Sequence, residues 1–282
     1  MIVDAHFHCW RLARGDYGWL TPALAPIYRD VRIEDWQAQA SRCGVATGVL
    51  VQAAPTEAET AFLLAEAATH DCVLGVVGWV DLLAADAPQR IERLAAQPKL
   101  RALRPMLHDL PDPNWILQRA LGPALRAMVE QRLVLDALVR PVHLPALLQL
   151  CRRHPDLSVV IDHGAKPDIA AGQWQPWADD LARLAGETQA LCKLSGLLTE
   201  AGPSPRADAA RRWAAHVLER FGAERVLWGS DWPVLERAAS YDTWWLETQA
   251  ALAALDESAR AAVLGGSARR VYRLQDGTRP PA

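Results

Sequence analysis

Two histidines near the start of the chain have a spacing that suits metal chemistry. Residues 2–8 read IVDAHFH, an apolar run typical of a strand that carries His6 and His8. Side chains two residues apart in a strand project from one face, so both imidazoles are expected to point the same way. Together they could hold one metal ion, which can polarise a carbonyl group and activate water. The alternative is that they are two unrelated polar residues near a terminus.

Two further polar residues end predicted strands far along the chain. His163 closes one apolar run, and Asp231 follows another. Where parallel strands alternate with helices, the strand ends meet at one edge of the fold, and chemistry gathers there. Alone, His163 would be a structural histidine and Asp231 a turn or helix cap. Beside His6 and His8 they complete a His/His/His/Asp set with the ligands that a divalent metal prefers.

The elements that must position these residues alternate regularly. Short apolar runs predict strands at 2–8, 47–52, 73–79, 101–106, 132–136, 158–163, 190–195 and 225–230. Helical patterns lie at 56–70, 86–98, 114–130, 145–154, 174–186, 208–221, 242–254, 256–264 and 267–273. Thr56 and Glu59 form a capping-box pattern that marks the start of the first of these helices.

Eight strand–helix units in 282 residues predict an α/β protein with a TIM-type (β/α)8 barrel. The barrel is expected as a single domain over residues 1–275, followed by a frayed tail at 276–282. A doubly wound sheet is the alternative, but it would usually carry a glycine-rich turn after its first strand. The connection from Cys9 to Ile33 is long and rich in aromatic residues, so we expect it to lie over the barrel mouth as a lid.

Composition narrows the class of protein. The net charge is -3, with 51% hydrophobic and 22% charged residues, so the chain is globular and lacks the basic surplus that binds nucleic acid. We expect no membrane span, because no apolar run is long enough, and no signal segment, because the chain opens directly on a predicted strand. Five scattered cysteines without a CxxC pair indicate reduced thiols in a cytoplasmic protein. We expect a small-molecule substrate and no nucleic-acid or membrane partner; the oligomeric state stays open.

The chain resembles the amidohydrolase superfamily in the histidine pair at 6–8, in His163 and in Asp231. More narrowly, it is similar to the branch of sugar-lactone and pyrone-dicarboxylate lactonases, and most of all to the L-fucono-1,5-lactonase type. Three stretches carry this likeness, LRPMLHDLPDP at 103–113, DHGAKP at 162–167 and WGSDWP at 228–233. The resemblance covers nearly the whole chain, and it implies a barrel that hydrolyses a cyclic ester.

The chain departs from the superfamily pattern in one respect. Many members bridge two metals with a Lys or Glu on strand 4 and add a His on strand 5, whereas this chain has arginine on strand 4 and Asp136 on strand 5. The resemblance therefore implies a single zinc held by His6, His8 and Asp231, with His163 as a further ligand. Some branch members need no metal, so catalysis without zinc stays open.

The resemblance also implies a mechanism. Asp231 would take a proton from water and return it to the leaving ring oxygen, while His163, a metal, Arg104 or Lys166 would stabilise the charge on the carbonyl oxygen. The expected catalytic residues are Asp231, His163, His8 and His6. The expected substrate-binding residues are Arg104, Lys166, Trp19, Gln52, Asp81, Asp136 and Trp228.

The other histidines and two strand cations are weaker candidates. His143 precedes a predicted helix and is expected to cap it, and His108 could reach the barrel mouth. Arg101 fits a salt bridge beneath the barrel as well as a site role, and Lys193 also fits a structural role. The histidines expected at the surface are His70, His154 and His216.

Substrate choice follows from the charged residues near the mouth. A pyrone dicarboxylate calls for several converging arginines, but strand 4 supplies only Arg101 and Arg104. A neutral polyol ring fits better, which favours L-fucono-1,5-lactone first and other aldonolactones next. One alternative is a zinc-dependent decarboxylase of the same superfamily, and another is a barrel that only binds a ligand.

Overall fold

Eight parallel strands form the centre of the fold in the computed structural model, which describes residues 1–275. The strands are β1 (Val3–Phe7), β2 (Thr47–Val51), β3 (Val73–Gly78), β4 (Leu100–Leu103), β5 (Val134–Ala137), β6 (Val159–Ile161), β7 (Leu191–Leu194) and β8 (Val226–Trp228). Each strand pairs in parallel with the next along the chain. The predicted TIM-type barrel is therefore confirmed. The tail expected at 276–282 lies outside the described residues.

The ring closes where the chain leaving β8 runs beside β1. The Asp231 amide donates to the His6 carbonyl at 2.8 Å, and the His8 amide donates to the Trp232 carbonyl at 2.8 Å. Phe7 and Trp232 form a parallel bridge at the same place. The first and last strands therefore meet at the residues singled out by sequence.

Helices follow most of the strands. They are α1 (Ile33–Ala40), α2 (Glu57–Ala68), α3 (Ala87–Ala95), α4 (Gly122–Glu130), α5 (Leu144–Arg153), α6 (Trp177–Glu187), α7 (Leu197–Glu200), α8 (Arg211–Phe221), α9 (Tyr241–Ala251), α10 (Glu257–Ala261) and α11 (Ser267–Val271). The helix predicted at 114–130 is wrong in its first half, where two 3-10 turns precede Gly122. Pro123 explains the late start, because proline fits the first turn of a helix but not its interior.

Strand residues alternate between two apolar layers. In β5, Val134 belongs to the barrel interior, whereas Leu135 and Ala137 belong to the layer between the strands and the helices. The interior layer is built from small and β-branched side chains, with Tyr272 among them; its members include Val3, Ala5, Val49, Val51, Val77, Ala102, Val134, Val160 and Leu227. This alternation decides which strand residues can face the barrel axis.

The long connection after β1 is packed and fastened at its base. Trp10 and Val31 exchange two backbone hydrogen bonds of 3.0 and 2.9 Å, so the ends of the connection are held together. Tyr17 and Ile27 within it are buried. None of the described helices is both long and apolar enough to cross a membrane.

Two of the remaining histidines have clear structural positions. The prediction of a surface position for His216 is wrong, because the ring is buried between α6 and α8, packs edge-on against Trp174 and tilted against Trp177, and lies 2.9 Å from the Ala178 carbonyl. His143 occupies the N-cap position of α5, but its side chain makes no capping hydrogen bond to that helix; its Nδ1 instead accepts the Arg140 amide at 3.1 Å in the preceding 3-10 turn.

Candidate active site

A local irregularity in β1 aims His6 into the barrel. Asp4 contacts Trp36 of α1 and Tyr241 of α9, outside the strands, while His6 contacts Lys193 of β7. Strict alternation would place Asp4 and His6 on one face. The register of β1 against β2 shifts between Asp4 and Phe7, and such irregularities re-aim side chains beside active sites.

Three imidazoles surround one carboxylate at the strand ends. The Oδ1 atom of Asp231 lies 3.3 Å from His8 Nε2, 3.6 Å from His6 Nε2 and 3.8 Å from His163 Nε2. The Nε2 atoms of His6 and His8 are 3.2 Å apart. All four side chains are buried. The structure thus brings together the four residues that the sequence analysis ranked first.

The outer nitrogens of these rings are held by other groups. His8 Nδ1 lies 2.8 Å from the Val51 carbonyl, and His163 Nδ1 lies 2.8 Å from Ser195 Oγ. Donation from Nδ1 to the Val51 carbonyl leaves the Nε2 lone pair of His8 directed at the centre. Hydrogen-bond partners on the far nitrogen of an imidazole orient histidine ligands in this way at metal sites.

The electrostatics keep the Asp231 carboxylate charged and the His6 and His163 rings neutral. Burial alone would raise the pKa of Asp231, but the imidazoles around it, that of His163 first, hold this pKa below its ordinary value. Burial lowers the pKa of His163 to about 4, and burial together with the nearby Lys193 ammonium lowers the pKa of His6. Near neutral pH the centre therefore presents an ionised Asp231 carboxylate beside uncharged His6 and His163 imidazoles.

Glycines leave room for two of the imidazoles. A Cβ on Gly196 would come within 2.7 Å of His163 Nδ1, and Gly196 has a φ of +64°, which favours glycine. A Cβ on Gly229 would meet the His6 Cβ at 2.9 Å. His163 and Asp231 themselves have φ values of 54° and 59°, the kind of backbone strain that collects at functional sites.

A buried charge network lies behind His6. Lys193 Nζ is 2.5 Å from Asp136 Oδ2, 2.9 Å from Asp162 Oδ1 and 3.2 Å from His6 Nδ1. Arg104 Nη1 approaches the other oxygen of Asp162 at 3.2 Å, and the Tyr272 hydroxyl donates to Asp136 at 2.8 Å. This network holds the His6 ring in its orientation from the interior of the barrel.

A cavity of about 170 Å³ opens above the centre. Its floor includes His8, His163 and Asp231, and its volume lies below the range of about 300–1,000 Å³ usual for ligand pockets, which suits a small molecule. The remaining lining residues are Trp19, Ala53, Arg104, Met106, His108, Asp109, Leu138, Lys166, Val234 and Arg237.

Three of the predicted substrate-binding residues line the cavity. Trp19 of the long connection is 37% exposed and stands at the wall, so this part of the connection does reach the mouth. Lys166 pairs with Glu200, and Arg104 is held by Asp162 and by the Gln52 carbonyl.

The other four predicted substrate-binding residues do not line it. Gln52 is buried and donates to the Arg104 carbonyl at 2.7 Å, and Asp136 lies deeper, in the charge network. Asp81 is exposed and accepts the Leu83 amide at 3.0 Å in a turn. Trp228 donates to Thr248 of α9, on the outer side of the barrel.

Several lining residues were missed by sequence reasoning. Met106 and Leu138 follow β4 and β5, while Val234 and Arg237 lie in the turn after β8. In the sequence these residues are marked only by their position beyond a strand end. Residue type alone does not show that such a side chain lines a cavity. Asp162 had a clearer signal, because it directly precedes His163.

The substitution Ser195→Ala tests whether the Ser195 hydroxyl holds the His163 ring in position. The substitution removes the hydroxyl that contacts Nδ1, and we expect metal affinity and turnover to fall about 10–100-fold, the usual loss for such outer partners. Ser267→Ala is the matched control, because Ser267 Oγ is also buried but contacts the carbonyls of Ala223 and Glu224. Equal kinetics and zinc affinity in wild type and Ser195→Ala would contradict this role.

The donor set fits a divalent metal. Ligand atoms of His6, His163 and Asp231 lie within 4.8 Å of one another, and His8 Nε2 contacts two of these residues. Imidazole nitrogens and a carboxylate oxygen are ordinary zinc ligands, and the anchored outer nitrogens of His8 and His163 favour ligation through Nε2.

Comparisons with known proteins agree with this geometry. The chain is 46% identical to an L-fucono-1,5-lactonase of Burkholderia ambifaria over 96% of its length and 95% of the relative's. It is 34% identical to an L-fucono-1,5-lactonase of Burkholderia multivorans, covering 97% and 96% of the two chains. An amidohydrolase from B. multivorans, solved with bound zinc, superposes with a TM-score of 0.90 at 31% identity and covers 98% of this chain and 100% of that chain.

The sequence profile of the amidohydrolase family matches residues 3–274, almost all of the described chain. The resemblance drawn from the histidine pair, His163 and Asp231 is thereby confirmed. The chain belongs to the amidohydrolase family.

Proposed function

We propose that this protein hydrolyses a sugar-acid lactone, L-fucono-1,5-lactone or a related aldonolactone, to the open-chain acid. The observation that carries the proposal is the Asp231 carboxylate, which three imidazoles surround at the floor of a small cavity. The names of the relatives at 46% and 34% identity support the same substrate class.

Asp231 acts as the proton carrier. Its carboxylate accepts a proton from water as the water oxygen bonds to the lactone carbonyl carbon. The same carboxyl group then returns the proton to the ring oxygen while the carbonyl carbon–ring oxygen bond breaks. The product is a carboxylic acid with a free hydroxyl, so one water is added and nothing else is consumed.

The charge that develops on the carbonyl oxygen needs a positive or hydrogen-bonding partner. Lys166 lines the cavity wall and supplies an ammonium group, and Arg104 stands closer to the centre, where Asp162 fixes it. One preorganised donor of this kind is worth about 3 kcal/mol. A zinc ion held by His6, His8, His163 and Asp231 would add polarisation of the carbonyl and a lower pKa for water.

The walls of the cavity suit a sugar ring with one apolar edge. Met106, Leu138 and Val234 are apolar, whereas Asp109 and Arg237 offer polar groups. Apolar walls with a few placed polar groups are typical of small-ligand sites. This combination supports a deoxy-sugar lactone, whose methyl group can pack on the apolar side.

The test is acid release, followed with a pH indicator and corrected for spontaneous hydrolysis, from a panel of L- and D-aldonolactones. We expect rapid turnover of a few related lactones, with L-fucono-1,5-lactone among the best. Absence of turnover for every lactone, even with added zinc, would overturn the proposal. Release of carbon dioxide from an aromatic acid would instead identify a decarboxylase.

Metal binding gives a separate prediction. Metal-stripped protein is expected to bind one zinc per chain, measured by equilibrium dialysis. His163→Ala should weaken binding by more than the roughly 10–100-fold that loss of an outer partner costs. His154→Gln controls for adventitious binding, because this half-buried histidine lies at the end of α5. Unchanged zinc affinity in His163→Ala would remove His163 from the ligand set.

The proposal includes a cytoplasmic location and a small-molecule lactone as substrate, with no nucleic-acid or membrane partner. Support for the location comes from the five cysteines, all of which are free thiols. The net charge of -3 argues against nucleic acid as a partner.

A further inference from the structure

A buried carboxylate outside the catalytic cluster holds part of the cavity wall. Glu59 lies in the first turn of α2, is fully buried, and accepts the Ala53 amide at 2.9 and 3.0 Å and the Ala54 amide at 2.6 Å. The Thr56 hydroxyl accepts the Glu59 amide at 3.0 Å and caps the same helix. Only the Thr56 half of the predicted capping box is formed, because the Glu59 carboxylate accepts two backbone donors of the turn between β2 and α2, while the Thr56 amide donates to the Ala54 carbonyl at 2.9 Å.

That turn is where the long connection is fastened. The Trp19 indole N–H donates to the Ala53 carbonyl at 2.7 Å, and Trp19 and Ala53 both line the cavity. A second tie joins the same segments, because the Thr56 hydroxyl donates to Asp16 at 3.2 Å. The peptide group between Ala53 and Ala54 therefore donates to Glu59 through the Ala54 N–H and accepts the Trp19 indole through the Ala53 C=O.

We propose that Glu59 is a positioning residue that sets substrate affinity through Trp19. It fixes the Ala53 carbonyl, and this carbonyl fixes the indole that forms one wall against the substrate ring. The substrate in this inference rests on the proposed lactone hydrolysis. The coupling between Glu59 and Trp19 rests on the hydrogen bonds described above. Glu59 itself does not line the cavity.

Kinetics of four variants test the coupling. Glu59→Gln replaces one acceptor oxygen by an NH2 group that opposes the backbone donors, and Trp19→Phe keeps an aromatic ring but removes the donor. We expect each to raise KM about fivefold to tenfold, the loss of about one hydrogen bond, with kcat changed less than about twofold. The double variant should be no worse than the worse single variant, because both act on one linkage.

The matched control is Glu66→Gln. Glu66 also lies on α2 and also contacts the long connection, through Arg11 at 2.9 Å, but that pair is at the surface. Its KM should stay at the wild-type value, since exposed ion pairs contribute little. Additive effects of Glu59→Gln and Trp19→Phe, or a normal KM in Glu59→Gln, would overturn the inference.

Hydrogen–deuterium exchange of the free protein separates this inference from the proposed activity. Peptides covering residues 9–32 should exchange faster in both Glu59→Gln and Trp19→Phe, and those covering 52–56 faster in Glu59→Gln, with neither change in Glu66→Gln. This result holds even if wild type turns over no lactone, in which case only the proposed function fails. Should Glu59→Gln not fold, Glu59→Asp, which keeps the charge but shortens the reach, should give the same pattern at smaller amplitude. Unchanged exchange of 9–32 in folded variants would overturn the coupling.

Discussion

Asp231→Asn is expected to lower kcat for lactone hydrolysis about 10²–10⁴-fold, the usual share of a positioned general acid–base group. The amide cannot take a proton from water, although it keeps the size of the carboxyl group among the three imidazoles. The measurement is steady-state hydrolysis of the best lactone, with KM determined alongside kcat.

Asp81→Asn is the control for this substitution. It makes the same chemical change at an exposed turn outside the cavity lining, where asparagine can still accept the Leu83 amide. We expect wild-type kinetics from it. A kcat for Asp231→Asn within a few fold of wild type would remove Asp231 as the proton carrier.

Lys193→Met is expected to destabilise the fold by about 3–5 kcal/mol, the usual result of removing one partner from a buried ion pair. Lys193 is fully buried, and its loss would leave the Asp136 carboxylate without a compensating charge and Asp162 with Arg104 as its cationic partner. The midpoint of urea denaturation should fall accordingly.

A second substitution distinguishes charge from packing. Asp136→Asn in the Lys193→Met background removes the carboxylate charge that the loss of Lys193 leaves uncompensated, so part of the lost stability should return. If the double variant is less stable than Lys193→Met alone, the loss comes from packing of the lysine stem and the network has no electrostatic role. Turnover in Lys193→Met also reports how far His6 depends on this network for its orientation.

The barrel and the centre of the site were accessible from sequence because both rest on simple regularities. Alternating apolar runs and helical patterns predict the eight strands to within a few residues, and strand ends converge in such a fold. His6, His8, His163 and Asp231 therefore could be placed together without a side-chain position being known. The convergence of strand ends predicts which residues lie close together, but not where their side chains point.

The direction in which side chains point was predicted less well from sequence. Trp228 ends β8 but points outward; because Leu227 faces the interior, strict alternation would have indicated this. For His6, strict alternation would have indicated the wrong direction, because the register shift in β1 breaks the alternation. Glu59 has the residue type and spacing of a capping box. Its carboxylate accepts the Ala53 amide, however, and this contact depends on a turn whose path the sequence does not specify.

The closure of the barrel makes the order of synthesis important for activity. On the ribosome, the two histidines of β1 are made first, and the carboxylate they surround is made more than two hundred residues later, beyond β8. A nascent chain with seven strands already holds the imidazoles and the residues of the charge network in β5 and β7, but it has no proton carrier. The backbone hydrogen bonds between His6 and Asp231 and between His8 and Trp232 then complete the ring and the reaction centre in one event. Catalysis in this protein thus requires translation past β8 and closure of the ring.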